Sequence, residues 1–292
     1  MSITTALAMA VASSCLYFLG FLLFKKAAPT LPPLRGVRPL HFAVSVMTSW
    51  PWLIGALVTG SGVVLQFAAL TRLSLPVMIT VLLCGLGVVM FLAAPASGEH
   101  ATAAELRCLT LLAAAGIMIA WSGPGAPPPV PLPTLALLAA ASLLLPVALF
   151  SFGDTHPEGQ HARPLTGLSY GISAGVLIGF GELALGLQID AGITAAALAG
   201  PLPWLFLLAA ACGIAQLQIA LQRCRMTVVV FVATAVAKTY LVIVGGLLCL
   251  DSTAPPFTSP WLLPPGMALI AAALVLTPRH ERRRTGRSAP RG

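Results

Sequence analysis

Nine stretches of this chain run apolar for about twenty residues each: roughly 5–24, 51–71, 74–94, 103–121, 131–151, 166–188, 202–222, 226–250 and 260–277. An α-helix of about 20 apolar residues reaches across the hydrocarbon of a bilayer. The runs are continuous rather than alternating, so each predicts a helix and not a barrel strand. Residues 38–49 are too short for a tenth span. They read as an interfacial helix leading into the next run, which Pro51 starts cleanly.

Composition turns a set of apolar helices into a membrane protein. Only 8% of the residues are charged and 58% are hydrophobic, with a mean hydropathy of +0.95. A soluble domain carries roughly 25% charged residues, so this chain cannot cover a water-facing surface. The expected fold is all-α: a polytopic bundle of about nine transmembrane helices in the lipid bilayer.

The basic residues orient the spans. With nine spans, fourteen of the 16 Lys and Arg fall on one side, among them Lys25, Lys26, Arg35, Arg38, Arg107, Arg163, Arg223, Arg225 and the six Arg of the tail. Arg72 falls opposite and Lys238 lies inside a span. The positive-inside rule makes the basic side cytoplasmic, which puts the N-terminus outside and the C-terminus inside, in the inner (cytoplasmic) membrane. The first run has no basic stretch before it, and "FKKAAPT" offers no cleavage site, so it reads as a retained span. The six cysteines lie in spans or at their ends without metal-like spacing and read as free apolar packers.

A repeat is visible between "PWLIGALVTGSGVVLQFAAL" (51–70) and "PWLFLLAAACGIAQLQIAL" (203–221). Trp52 precedes Gln66 by fourteen positions, and Trp204 precedes Gln218 by fourteen. These are spans 2 and 7, which cross in opposite senses. Spans 1–4 (residues 1–122) and 6–9 (166–277) then form an inverted pair. Residues 123–165 hold a Pro-rich link and span 5, and 278–292 form a disordered basic tail. Inverted halves are the architecture of many alternating-access transporters.

Three stretches resemble the drug/metabolite transporter (EamA-like) superfamily, nearest to its nine-span NIPA-like, magnesium-transporter-like branch. They are "ASSCLYFLGFLLFKKAA" (12–28), the paired runs 49–70 and 73–99 closed by Gly98-Glu99, and "LRCLTLLAAAGIMIAW" (106–121). The second half is a fainter match and lacks the Gly-Glu closure. The resemblance implies a secondary transporter. It does not imply a Mg²⁺ site here. Mg²⁺ favours several oxygens, usually including carboxylates, and one carboxylate, Glu182, lies well inside a span; Asp190 and Asp251 sit at outer span ends.

Glu182 stands in "SAGVLIGFGELALGLQ" (173–188), on one helical face with Gly171, Gly175, Gly179 and Gly186. Small residues at this spacing let a second helix approach, so Glu182 is expected to face protein. The other deep charge is Lys238. The depths of the two along parallel spans differ by roughly 6 Å at 1.5 Å per residue, within side-chain reach. The pair is either a structural lock or a substrate or proton site. Gln66, Gln216 and Gln218 are interhelical glue or pathway lining, and Tyr170, Ser173, Thr234 and Tyr240 are weaker candidates of the same kind. The histidines lie in loops and tails; His156 and His161 do not make a metal site. No metal-ligand motif, ATP-binding motif or nucleophile–base pair lies in the spans. No catalytic residue, metal or cofactor is therefore expected, and the protein is not read as an enzyme.

The function expected is movement of a small solute, metabolite or cation, by alternating access. The alternative is a non-transporting accessory or scaffold subunit. The partners expected are lipid and the solute, with a homodimer left open. Nucleic acid is not expected, because no aromatic or folded module accompanies the basic tail.

Overall fold

The computed structural model describes residues 2–32, 34, 39–73, 75–88, 92, 95, 102–122, 130–153, 164–191, 199–248 and 259–276. Outside them lie the tail 278–292, most of the Pro-rich link, Gly98-Glu99, His156, His161 and Asp251. The described residues form helices and no strand. In chain order these are α1 (Ile3–Ala27), α2 (Pro39–Met47), α3 (Trp50–Leu70), α4 (Leu75–Val88), α5 (Ala103–Ser122), α6 (Leu132–Gly153), α7 (Pro164–Ala191), α8 (Pro201–Arg223), α9 (Met226–Leu248) and α10 (Leu263–Leu276). A 3₁₀ turn, Pro260–Leu262, leads into α10. Each helix falls on a run or approach segment expected from the sequence.

Local signals explain the helix ends. Ser2 caps α1, its hydroxyl accepting from the Thr5 amide at 3.1 Å. Thr102 and Glu105 start α5 with reciprocal bonds: the Thr102 amide donates to Glu105 at 2.6 Å, and the Glu105 amide donates to Thr102 at 3.2 Å. This capping box satisfies donors that the first turn cannot. Proline occupies the first turn of both α3 and α8, where its missing amide is no loss.

Among the described residues, five helical segments are long and apolar enough to cross a membrane: Ile3–Ala27, Trp50–Leu70, Gly167–Ile189, Pro201–Arg223 and Met226–Gly245. Leu132–Ala148 and Leu263–Leu276 are shorter apolar helices. The protein is thus a multi-pass helical membrane bundle. Its faces agree. On α3, Trp50, Leu57 and Val64 recur every seven residues and are exposed, Leu57 at 72%. Gly55, Thr59, Gly62 and Gln66 point inward. A soluble helix has the opposite arrangement. Outward apolar and inward small or polar residues suit lipid outside and close helix contacts inside.

The packing falls into two groups. In the first, α1 packs on α3 and α4, and α4 on α5; in the second, α7 packs on α8 and α9. The helices α5 and α10 pack together across the groups, and α6 lies on α7. Gly167 of α7 neighbours Arg223 of α8 and the capping Cys224 that follows it, whereas Gly213 of α8 neighbours Ala174 and Leu177 of α7. These contacts advance in opposite directions, so α7 and α8 are antiparallel. Gly175 meets Ala233 and Val236, and Gly179 meets Ala237 and Tyr240. Those contacts advance together, so α7 and α9 are parallel, as two spans separated by one return span must be. The main apolar core includes residues of both groups, from Phe24 and Leu112 to Leu217 and Phe231.

Candidate functional site

The closest approach of α7 and α9 sets up the site. A Cβ on Gly175 would stand 2.6 Å from the Ala233 carbonyl oxygen, and one on Gly179 would stand 2.8 Å from that of Ala237. Only glycine lets the two backbones come this near. One turn further along, the same parallel contact brings Glu182 beside Lys238, and the ammonium donates to a Glu182 carboxylate oxygen in an ion pair. The side chains are 3% exposed for Lys238 and 14% for Glu182. Each relieves the other's burial. An unpaired charge at mid-span costs about 2.5–3.5 kcal/mol on insertion scales.

The pair lies in the wall of a cavity of about 100 Å³. Its lining comes from six helices: α1, α3 and α4 on one side and α7, α8 and α9 on the other. Tyr17, Phe18, Phe21 and Phe206 supply rings, and Thr59 and Thr234 supply hydroxyls. The rest of the wall is mainly aliphatic, for example Val63, Leu82 and Ile214. The chamber is apolar with one charged spot of net charge zero.

The expected site residues divide into three sets. Glu182, Lys238 and Thr234 line the cavity. Gln66 is linked to it at one remove, since Tyr17 lines the cavity and its hydroxyl donates to Gln66 Oε1 at 2.6 Å. The others stand elsewhere. The Gln218 side-chain amide donates to the Phe24 carbonyl of α1 at 3.3 Å. The Tyr240 hydroxyl shares a 2.7 Å bond with Ser142 of α6. The Tyr170 ring lies under the Arg223 guanidinium, 4.8 Å from its centroid. Ser173 and Gln216 are buried at opposed levels of the α7–α8 contact. Among the described residues, neither the Ser173 hydroxyl nor the Gln216 amide has a hydrogen-bond partner. Tyr17 and Thr59 are polar cavity residues that sequence reasoning passes over, because a lone tyrosine or threonine in an apolar run reads as packing.

Polar bonds also join the two groups of helices at one end of the bundle. Lys25 at the end of α1 donates to the carbonyls of Leu221 at 3.0 Å and Cys224 at 2.7 Å, where α8 stops. A cation there also complements the helix dipole. Gln222 donates to the Ala28 and Pro32 carbonyls at 3.2 and 3.1 Å and accepts from the Leu34 amide at 3.1 Å. Glu105 pairs with Arg225 at 3.0 Å and accepts from the Thr227 hydroxyl at 3.1 Å. Lys25, Arg223 and Arg225 therefore gather at a single end, the one the charge pattern treats as a single side. Phe21 and Leu217 line the cavity. The Lys25–Leu221 contact lies one turn past both, about 6 Å along the helices.

Among the described residues, no group of three or more His, Cys, Asp and Glu side chains is placed to hold a metal ion. No family model, curated protein or solved structure matches the chain.

Proposed function

We propose that this membrane protein moves a small solute across the inner membrane by alternating access, with the Glu182–Lys238 pair as its central coupling site. One observation carries the reading: the charged pair stands in the wall of a cavity lined by helices of both groups. A static scaffold has no use for a cavity there, where packing could fill the space. The similar packing of α1 with α3 and α4 and of α7 with α8 and α9 supports two halves that rock against each other, as does the likeness to drug/metabolite transporters. Nine spans, with the N-terminus outside, belong to the same reading. The bonds of Lys25, Gln222 and Glu105 close the basic end. Opening that end requires them to break.

The test is access. Thr234→Cys, in a chain whose native cysteines are replaced, places a thiol in the cavity. In sealed vesicles of defined orientation, a membrane-impermeant thiol reagent should label it when applied from either side. Labelling from one side only, or from neither, favours the accessory-subunit reading and refutes alternating access.

A further inference from the structure

The nine residues of α2 (Pro39–Met47) turn different sectors to different surroundings. At 3.6 residues per turn, Phe42 and Val46 share one side, and both pack on the main apolar core, Val46 at 2% exposure. A second side holds His41, Ser45 and, just past the helix end, Thr48. There the Ser45 and Thr48 hydroxyls bond back to the carbonyls of His41 at 2.7 Å and Val44 at 3.0 Å, and His41 and Thr48 are exposed. A third side holds Leu40, Val44 and Met47, which are 83%, 64% and 61% exposed. One sector is thus covered by protein, one is polar, and one is apolar with no protein over it. A helix lying in the boundary between membrane and water needs this division. Nine residues rise only about 13 Å, too short to cross the hydrocarbon.

The place of α2 in the bundle agrees. Gly55 of α3 neighbours Leu23 and Phe24 of α1, while Gly62 neighbours Ser13 and Leu16. The two helices are therefore antiparallel, and α3 starts at the Lys25 end of α1. Trp50 follows α2 by three residues, is 71% exposed and heads the outward apolar stripe of α3. Tryptophan favours the headgroup level. Positive charge accompanies this apolar surface. Lys26 is exposed at the end of α1, Arg35 and Arg38 precede α2 in the sequence, and the first acid of the chain is Glu99.

The occupant must satisfy an apolar sector and an excess of cations together. A soluble anion leaves Leu40, Val44, Met47 and Trp50 in water. A stable protein interface uses about 20–30 residues a side, far more than these four. A phospholipid with a net negative headgroup supplies both an acyl chain and a phosphate. We propose that α2 is a seat for anionic phospholipid: Leu40, Val44 and Met47 lie among the upper acyl chains, and the neighbouring cations draw the negative headgroups. That the leaflet is the inner one rests on the orientation in the proposed function; the seat itself does not.

The experiment uses the full chain with its native cysteines replaced and single cysteines at 40, 41, 44, 46, 47 or 48. Each carries a nitroxide, in vesicles of phosphatidylcholine and phosphatidylglycerol. Collisions are compared between oxygen, which concentrates in the bilayer, and a water-soluble nickel chelate. Positions 40, 44 and 47 should favour oxygen, 41 and 48 should favour nickel, and 46 should be shielded from both. In a second measurement a fluorophore on Val44→Cys is quenched by nitroxide-labelled lipid. Labelled phosphatidylglycerol should enrich there at least about threefold over labelled phosphatidylcholine at equal mole fraction. Lys26→Gln with Arg38→Gln should lower that preference. Four results overturn the proposal: 40, 44 and 47 as open to nickel as 41 and 48; the same three shielded from both reagents, which means protein covers them; equal quenching by the two lipids; or a preference that the charge variant leaves unchanged. Labelling of Thr234→Cys decides the transport reading and leaves these results standing. Reporter fusions that reverse the orientation would move the seat to the other leaflet without removing it.

Discussion

Glu182→Gln should destabilise the protein more than Lys238→Met, and the two changes together should cost less than their sum. The ammonium of Lys238, its side chain 3% exposed, would lose its partner in Glu182→Gln. Breaking a buried pair from one side costs about 3–5 kcal/mol. The lower figure is already a factor of about 150 in the folded-to-unfolded ratio. In Lys238→Met the abandoned charge is the carboxylate, 14% exposed and beside the cavity. Its greater exposure lowers the cost, and a loss of about 2 kcal/mol is expected. The double variant leaves no charge behind and should recover most of both losses, a coupling of about 2 kcal/mol or more. The assay is reversible unfolding in mixed detergent micelles for wild type, both single variants and the double variant. Losses that add within about 0.5 kcal/mol would refute the reasoning, because two side chains in one ion pair cannot act independently.

Gly179→Ala should destabilise by about 1–3 kcal/mol, because its Cβ would stand 2.8 Å from the Ala237 carbonyl oxygen and 3.0 Å from the Tyr240 Cβ. Gly186→Ala has nothing within 4 Å and should be neutral or slightly stabilising; thermal unfolding of both in detergent checks the contrast, and equal losses would remove the close α7–α9 contact. Lys25→Met strips two carbonyls at the end of α8 of their donor. It should cost about 1–3 kcal/mol by the same measurement, with Lys25→Arg recovering part; an unchanged midpoint for Lys25→Met would count against the link. A periplasm-active reporter should be active when fused within residues 122–130 and inactive after residue 285. The opposite pattern would reverse the orientation, and equal activity would remove the odd span count.

The helices were legible because bilayer-length apolar runs have few alternatives. The expected start of the last run at residue 260 moved to Leu263. Pro260, Pro264 and Pro265 crowd that end, and the chain enters by a 3₁₀ turn. Glu182 and Lys238 were legible as a pair because they are the two deep charges and their depths nearly match. Tyr17 was not, since its role depends on which residue of another helix meets its hydroxyl. Lys25 reads in sequence as one more orienting charge, and nothing marks Gln222 among the polar residues at a span end; their partners are backbone carbonyls, which leave no trace in composition. The expected equivalence of Gln66 and Gln218 also has a limit. Both are buried, yet both turn toward α1, whereas strict repetition would send Gln218 to α7. Trp52 packs on Phe24 with ring centroids 5.4 Å apart, while its counterpart Trp204 is 67% exposed. The matched spacing that the sequence suggests between α3 and α8 does not extend to the neighbours of these side chains.

The fastening of α1 to α8 also bears on how this chain can change over generations. Lys25 and Gln222 grip carbonyl oxygens of Leu221, Cys224, Ala28 and Pro32, and every amino acid supplies a carbonyl. The gripped positions can therefore drift among apolar residues without unfastening that contact, while the two gripping positions cannot. The Glu105–Arg225 link behaves differently, because each partner is a side chain and a change in one removes the opposite charge that the other pairs with. Descendants of this sequence would be expected to hold Lys25 and Gln222 singly, but to change residues 105 and 225 only together.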